Sequence, residues 1–416
     1  MNNMKHFLNL NLGIAFMFFS SVLAQDYDML IQNGHLIDAK NGINEVMDIA
    51  IKDGKIAAVS SNLNSKQSKK TIDAKGLVIS PGLIDIHGHH FHGTEPSSYL
   101  SNSFTALPPD GFTFESGITT VVDVGGAGWR NFNQFKEQTI ANSKTRVLSF
   151  LNIVGHGMKG GAFEQDLSDM DEKLTAIVAQ QNKDYVVGIK VAHFSGFDWT
   201  PVEKAVAAGT RANIPVMVDF GGSQPELPLN VLLLEKLRPG DIFTHAYAHV
   251  NGRTPVVNES GKLQPYVLDA QKRGIIFDVG HGGGSFVFEQ AIPAIQQGFK
   301  PNTISTDLHT GSMNGGMKDI LNVMSKLLNM DMSIQELVEA ATWKPAKVIQ
   351  REDLGNLSVG SVADITLLKI ESGEFGFIDT QNKKMEGTKK IICELTLREG
   401  NVVYDLNGLA STPWNN

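Results

Sequence analysis

The chain is predicted to adopt an α/β fold: a (β/α)8 barrel with a small β-sandwich domain built from both termini. Three observations carry that prediction. Short apolar runs alternate with helix-compatible stretches through the middle of the chain. Both ends instead carry short strand-like segments separated by turn signals. Histidine, aspartate and lysine follow directly on the apolar runs. The runs fall at residues 83–86, 119–124, 147–153, 186–191, 214–218, 242–244, 275–279 and 303–306, with helix-compatible stretches such as 166–181, 201–212 and 266–273 between them. Wholly apolar strands that alternate with helices imply a parallel sheet, and eight such units suggest a closed barrel. Catalytic groups in that architecture sit at the C-terminal ends of the strands. The residues found there are Asp85, His87 and His89; Asp123; His156; Lys190 and His193; Asp219; His245; Asp278 and His281; Asp307 and His309.

At the N-terminal end, segments 27–31 and 35–37 are followed by Asn33-Gly34 and Asn41-Gly42. Segments 47–52 and 55–59 flank Asp53-Gly54, a strong hairpin signal. The C-terminal end mirrors this, with 363–368, then 391–398, Glu399-Gly400 and 401–404. The expected organisation is a composite β-sandwich from 25–80 and 352–416 around a barrel at 81–351. Residues 1–24 have the layout of a secretory signal peptide: Lys5, an apolar run from Leu12 to Leu23, and Val22-Leu23-Ala24 before Gln25. Asn9 and Asn11 interrupt the apolar stretch that a membrane anchor would need. The expectation is export to the periplasm, with no membrane partner once the leader is removed.

The composition narrows the chemistry. The 416 residues carry 36 Lys+Arg against 44 Asp+Glu, a formal charge of −8, and no basic block, which disfavours nucleic acid as a partner. A hydrophobic content of 42% is enough for a large core and argues against disorder. The single cysteine, Cys393, excludes a disulfide framework and any cysteine-rich metal site. Histidine is the feature left: ten of the 12 lie between His87 and His309.

The strongest local motif is Pro81-Gly82-Leu83-Ile84-Asp85-Ile86-His87-Gly88-His89-His90-Phe91-His92. Strand residues two apart point the same way, so His87 and His89 can converge on one metal ion as neutral imidazoles. His90 and His92 have the opposite parity. Gly125-Gly126-Ala127-Gly128 matches neither a dinucleotide fingerprint nor a phosphate loop and reads as a tight turn after the second strand. No Gly-x-Ser-x-Gly elbow occurs, which disfavours a serine hydrolase.

Taken with Asp53-Gly54-Lys55-Ile56, Gly117-Ile118-Thr119-Thr120, Gly188-Ile189-Lys190, Thr244-His245, Asp278-Val279-Gly280-His281-Gly282, Ser305-Thr306-Asp307 and Gly360-Ser361-Val362-Ala363-Asp364, the motif resembles the amidohydrolase superfamily, specifically its dihydroorotase-like deacetylase branch. The resemblance spans residues 27–404. It implies a barrel with a two-metal site, and a hydrolase of carbon–nitrogen bonds other than peptide bonds. It also implies metal ligation by His87, His89, Lys190, His245 and Asp307, with Lys190 converted by carbon dioxide to a carbamate that bridges two divalent ions, zinc being the expected metal. Asp307 would bind metal and shuttle a proton as the catalytic residue.

The fifth strand of the family pattern ends in histidine, whereas this chain has Asp219. Aspartate can ligate zinc and would also suit manganese or iron, or it can stand behind the ligands. His281, in a glycine-rich loop, and His309 are candidates for substrate contact or for structural roles. Arg253 is a candidate carboxylate binder or a surface arginine, and His193 is a weaker substrate candidate, as is His156. His249 reads as a residue that packs or hydrogen-bonds in its loop.

The expected function is an exported metal-dependent amidohydrolase acting on an N-acyl amino acid or related acylated small molecule through a hydroxide shared by two metals. Alternatives are a cyclic-amide hydrolase of the dihydroorotase or hydantoinase type, an ester or lactone hydrolase, and a catalytically silent binding protein. A homo-oligomer is compatible with such an enzyme, although no interface is legible in the sequence.

Overall fold

The computed structural model describes residues 26–92, 105–219 and 222–414. The proposed leader at 1–24 lies outside them.

The N-terminal strands are β1 (Met29–Asp38), β2 (Ile43–Lys52), β3 (Lys55–Ser60), β4 (Thr71–Asp73) and β5 (Val78–Pro81). The central strands are β6 (Leu83–Gly88), β7 (Ile118–Gly128), β8 (Arg146–Asn152), β9 (Val186–Val191), β10 (Val216–Val218), β11 (Ile242–Phe243) and β12 (Ile276–Phe277). The chain closes with β13 (Ile365–Ile378), β14 (Lys384–Arg398) and β15 (Asn401–Asp405). Strands from both termini join in one eight-stranded sheet of order β15-β14-β13-β5-β1-β2-β3, with β4 beside β1. At the β2–β3 turn Asp53 and Gly54 both have positive φ (50° and 72°), the backbone a type I′ hairpin demands. Only Gly82 separates β5 from β6, so the terminal sheet feeds straight into the strand that carries the first two histidines.

Strands β6 to β12 form a seven-stranded sheet in sequential order, parallel throughout. Every residue of β6, β7 and β9 is buried, which explains their apolar runs: neither face meets water. Ile84, Ile86, Val122, Val124, Leu148, Phe150, Met217 and Ile242 pack together from successive strands. A second cluster joins Leu83, Val121, Val147, Ile189 and Val216 to Val202, Ala205 and Ala208 of the helix Thr200–Ala212. That helix has Pro201 in its first turn and ends at Asn213, whose φ of 55° breaks the helical path. The preceding helix, Glu172–Gln181, starts six residues later than the pattern predicts. Asp171 is its N-cap, with a carboxylate that accepts from the backbone N–H of Lys173 and Leu174.

The glycines 125–128 differ from the predicted tight turn. They lie inside β7, where four steps from Val124 to Gly128 oppose two steps from Phe150 to Asn152. The extra residues make a bulge rather than an end to the strand, and Gly125 has φ +87° with Lys190 Cγ 2.8 Å from where a Cβ would sit. Residues 303–306 form no named strand. They are nevertheless bonded to both edges of the sheet. Val279 N–H donates to Thr303 O (3.1 Å), while Asp307 N–H donates to His87 O (2.7 Å) and His89 N–H to Leu308 O (2.9 Å). Single parallel bridges pair Asp278 with Thr303 and Gly88 with Leu308.

Candidate metal centre

The C-terminal ends of β6, β9, β10 and β11, with segment 303–309, bring the predicted ligands together: His89, Asp219, His245 and Asp307 line one cavity of about 230 Å3, and His87 and Lys190 are fully buried beside them. His87 Nε2 lies 3.6 Å and His89 Nε2 3.0 Å from Asp307 Oδ1. One ligand atom from each of these three buried side chains falls within 4.8 Å of the others, a spacing that a single cation can bridge. Lys190, fully buried, places Nζ 3.4 Å from His87 Nε2 and 3.7 Å from Asp219 Oδ2. His245 Nε2 is 3.2 Å from the same Asp219 oxygen.

The imidazoles of His87 and His245 are aimed by what holds the far nitrogen, whereas His89 Nδ1 is buried without a hydrogen-bond partner among the described residues. His87 Nδ1 is 2.8 Å from Thr244 Oγ1, which donates to Asp278 Oδ2 (2.8 Å). The threonine proton is committed to the carboxylate, so Nδ1–H donates to Thr244 and the Nε2 lone pair faces Lys190 and Asp307. His245 Nδ1–H donates to Gly280 O (2.6 Å), which likewise leaves Nε2 toward Asp219. Such outer partners fix tautomer and ring orientation in metal sites. Asp278, fully buried, also accepts from the hydroxyls of Thr303 and Ser305. Asp85 performs a similar task beneath the site. Its Oδ1 accepts from the backbone N–H of His87 and Thr306, and its Oδ2 from the Thr306 hydroxyl, tying β6 to residue 306. Burial pushes Asp85 up to about 7.

The electrostatics match a cation site. Burial, with a smaller contribution from any positive charge on Lys190, pushes His87 down to about 4, which keeps it in the neutral form that ligates. Burial also depresses Lys190, favouring the free amine. Burial opposes charge on Asp219, yet His245 and Lys190 hold its carboxyl well below the ordinary range. Asp307 is likewise held down against burial by the imidazoles of His87 and His89. Carboxylate oxygens and imidazole nitrogens therefore converge on one space, a donor set that fits divalent metal ions.

The other candidates divide. His309 lines the cavity, with Nε2 3.9 Å from Asp307 Oδ2 while Nδ1 accepts from Gly311 N–H. Arg253 also lines it, but it is buried. Its Nη2 donates to Thr244 O (3.0 Å) and His245 O (3.1 Å), and its guanidinium lies over the Phe243 ring. It thus braces the strand end that carries His245. His193 lines the cavity too, its Nε2 3.5 Å from Asp219 Oδ2 and its Nδ1 2.9 Å from Glu164 Oε2.

His281 departs from its expected place against substrate. It is fully buried, stacked on Phe286 at 4.5 Å, and both ring nitrogens are engaged. Nδ1–H donates to Gly282 O (3.0 Å), and Nε2 accepts from the buried Lys326 ammonium (2.7 Å). The glycine-rich loop is instead a packing necessity. A Cβ on Gly282, whose φ is +54°, would lie 2.2 Å from Asp307 Oδ2. His156 rests edge-on to Phe163, and His249 pairs with Glu289 at the surface.

Glu164, Thr244 and Lys326 were not anticipated from the sequence. Glu164 sits in a short 3-10 helix, Gly161–Gln165, and Lys326 on an apolar helix, Ile320–Leu328, where nothing in spacing marks them.

The similarities to known proteins agree with this geometry. The model of the amidohydrolase family matches residues 288–403. A deacetylase of Agrobacterium fabrum is 37% identical over 335 residues, 79% of each chain. A deacetylase of Enterococcus faecalis is 32% identical over 391 residues, covering 91% of this chain and 100% of that one. Among solved structures, an adenine deaminase superimposes with a TM-score of 0.81 at 30% identity, covering 92% of this chain and 100% of its own. A dihydroorotase gives 0.79 at 30% identity over 91% and 99%. Fold, site and relatives together define a hydrolase acting on carbon–nitrogen bonds other than peptide bonds. The chain belongs to the amidohydrolase family.

Proposed function

We propose that the protein is an exported deacylase that hydrolyses the amide of an N-acyl amino acid or related acylated small molecule, with two divalent metal ions held by His87, His89, Lys190, Asp219, His245 and Asp307. The observation that carries this reading is the cluster of those six side chains, with His89, Asp219, His245 and Asp307 lining one small cavity and His87 and Lys190 buried directly against Asp307 and Asp219, in a chain with deacetylase relatives over most of its length. Zinc suits the donor set, and the aspartate oxygens also suit manganese or iron. Segment 303–308 completes the ring as its eighth strand, joined to β12 and β6 by the bonds described above.

Bound metal supplies a water acidified toward neutral pH and a polarised scissile carbonyl. The chain's own groups do the rest. Lys190, whose neutral amine burial favours, could add carbon dioxide at Nζ with release of one proton, and as a carbamate it would help to hold the metal. Asp307, ionised and hydrogen-bonded to His89, takes the proton of the attacking water at a carboxylate oxygen and hands it to the leaving amine. His309, 3.9 Å from the same carboxylate, contacts the substrate, and the 230 Å3 cavity restricts that substrate to a small molecule.

Assay of the metal-loaded chain against N-acetyl-D- and N-acetyl-L-amino acids, cyclic imides and lactones tests the reading. The highest kcat/KM belongs to an N-acyl amino acid. Preference for a cyclic imide would instead favour the dihydroorotase-like alternative, which the structural likeness to a dihydroorotase supports. Removal of the leader is checked by N-terminal sequencing of the exported chain, which should begin at Gln25.

A further inference from the structure

Asp219 stands where the family pattern expects an imidazole, and a different imidazole is held beside it. His193 lies two residues beyond β9 and presents Nε2 to Asp219 Oδ2 at 3.5 Å. That separation is longer than an N–H···O hydrogen bond, which ends near about 3.2 Å. It matches the spacing of two donor atoms about 2.1 Å from one tetrahedral ion, about 3.4 Å. The other nitrogen facing Asp219 Oδ2 from an imidazole, His245 Nε2, is at 3.2 Å, and Lys190 Nζ is at 3.7 Å.

We infer that His193 is a ligand of the second metal position, supplying from the end of the fourth strand the imidazole that the fifth no longer provides. The inference rests on the two-metal reading above.

Two independent features of the chain support it. The first is the partner of Nδ1. Glu164 is buried, its Oε2 accepts from His193 Nδ1–H at 2.9 Å, and its Oε1 accepts from Gly160 N–H at 3.2 Å. A carboxylate behind an imidazole, with the other ring nitrogen turned toward the candidate ligands, is the outer-shell arrangement that metal-binding histidines use. His87 and His245 are held in the same manner, through Thr244 and Gly280 O.

The second feature is backbone conformation. His193 has φ 54°, in the left-handed region that side chains other than glycine avoid. Two other residues just past the ends of the central strands share it: His245 (57°) and Asp307 (51°), both ligands in the present reading. Gln165 holds this backbone in place. Its side-chain amide donates to His193 O (2.8 Å) and its carbonyl accepts from Ser195 N–H (3.0 Å). An unfavourable conformation maintained by neighbours at three strand ends around one cavity points to function at all three.

An anomalous difference map from crystals of the zinc-loaded chain tests the assignment. A peak within about 2.2 Å of His193 Nε2 is expected. A peak bound by His245 and Asp219 but beyond about 3 Å from His193 overturns the inference and leaves the two-metal reading standing. Absence of metal from both positions overturns the two together.

In solution, His193→Ala should retain about one metal ion in place of two by elemental analysis, with an altered cobalt(II) absorption spectrum. Glu164→Gln should hold the second ion roughly 10–100-fold more weakly. Unchanged stoichiometry and an unchanged cobalt spectrum in folded His193→Ala would refute ligation. Should that variant not fold, the affinity of Glu164→Gln decides in the same sense.

Discussion

The two ends of the parallel sheet each carry a cavity lined by carboxylates and cations, and they are built on opposite principles. At the strand starts lies the larger one, about 490 Å3, with Arg238, Asp241, Lys344 and Lys347 in its wall. Asp241 is saturated there. Oδ1 accepts from Val216 N–H (2.9 Å) and Arg238 Nη2 (2.7 Å), and Oδ2 accepts from Arg238 N–H (2.8 Å) and Nε (3.0 Å). At the strand ends the cavity is half that size, and among the described residues Asp219 Oδ2 has imidazole and amine nitrogens at 3.2, 3.5 and 3.7 Å. Charge at the starts is neutralised within the protein and serves stability. Charge at the ends is gathered around one cavity, where the proposed function places metal. Size is the poorer guide to chemistry, and the state of the hydrogen bonds is the better one.

If the contrast is right, substitutions at the two ends have opposite signatures. The largest effect belongs to Asp307→Asn, which should lower kcat/KM by about 100- to 10,000-fold on the best substrate, as loss of a positioned acid–base group does. Full activity in that variant would remove Asp307 from its role. Next comes Asp219→Asn, expected to weaken selectively one of two bound metal ions. Equilibrium dialysis followed by elemental analysis measures this, and unchanged stoichiometry would place Asp219 outside the ligand set.

The opposite end supplies the control. Asp241→Asn should destabilise the fold by about 1–3 kcal/mol, because the buried N–H groups and the guanidinium lose their charged acceptor. Urea unfolding reads that loss, while kcat/KM stays within about twofold. A collapse in kcat/KM in the properly folded variant would break the comparison.

The smallest effect concerns Lys326, whose ammonium burial pushes down to about 7. Between that value and its ordinary 10.5 the unfolded chain binds more protons than the folded one, so stability contributed by this group rises with pH across the window. Lys326→Met should flatten the gain seen in urea titrations between pH 7 and pH 10. A slope equal to that of the parent chain would contradict the assignment.

Much of this site is legible before any coordinates. His87 and His89 are marked by period-two spacing at the end of an apolar run, and Lys190 by its place in a strand with no polar neighbour. What escapes is everything fixed by tertiary contact. A glycine-rich loop suggests that His281 is open to substrate, yet Lys326, 45 residues on, comes from a packed helix to occupy its Nε2. Glu164 sits in a 3-10 helix of only five residues, Gly161–Gln165, too short for a periodicity to mark the side chain that orients His193. Gly125–Gly128 carries the composition of a turn but continues a strand, because a bulge and a turn use the same residues. The central strands shorten to two residues at β11 and β12, where the apolar runs are longer than the ladders they support.

The central claim is that the strand ends hold metal, and metal content measures it most directly. Chain purified after expression with zinc and dialysed against metal-free buffer should retain about two divalent ions per polypeptide by elemental analysis. A folded chain that carries none, after zinc or manganese has been offered, would contradict the account.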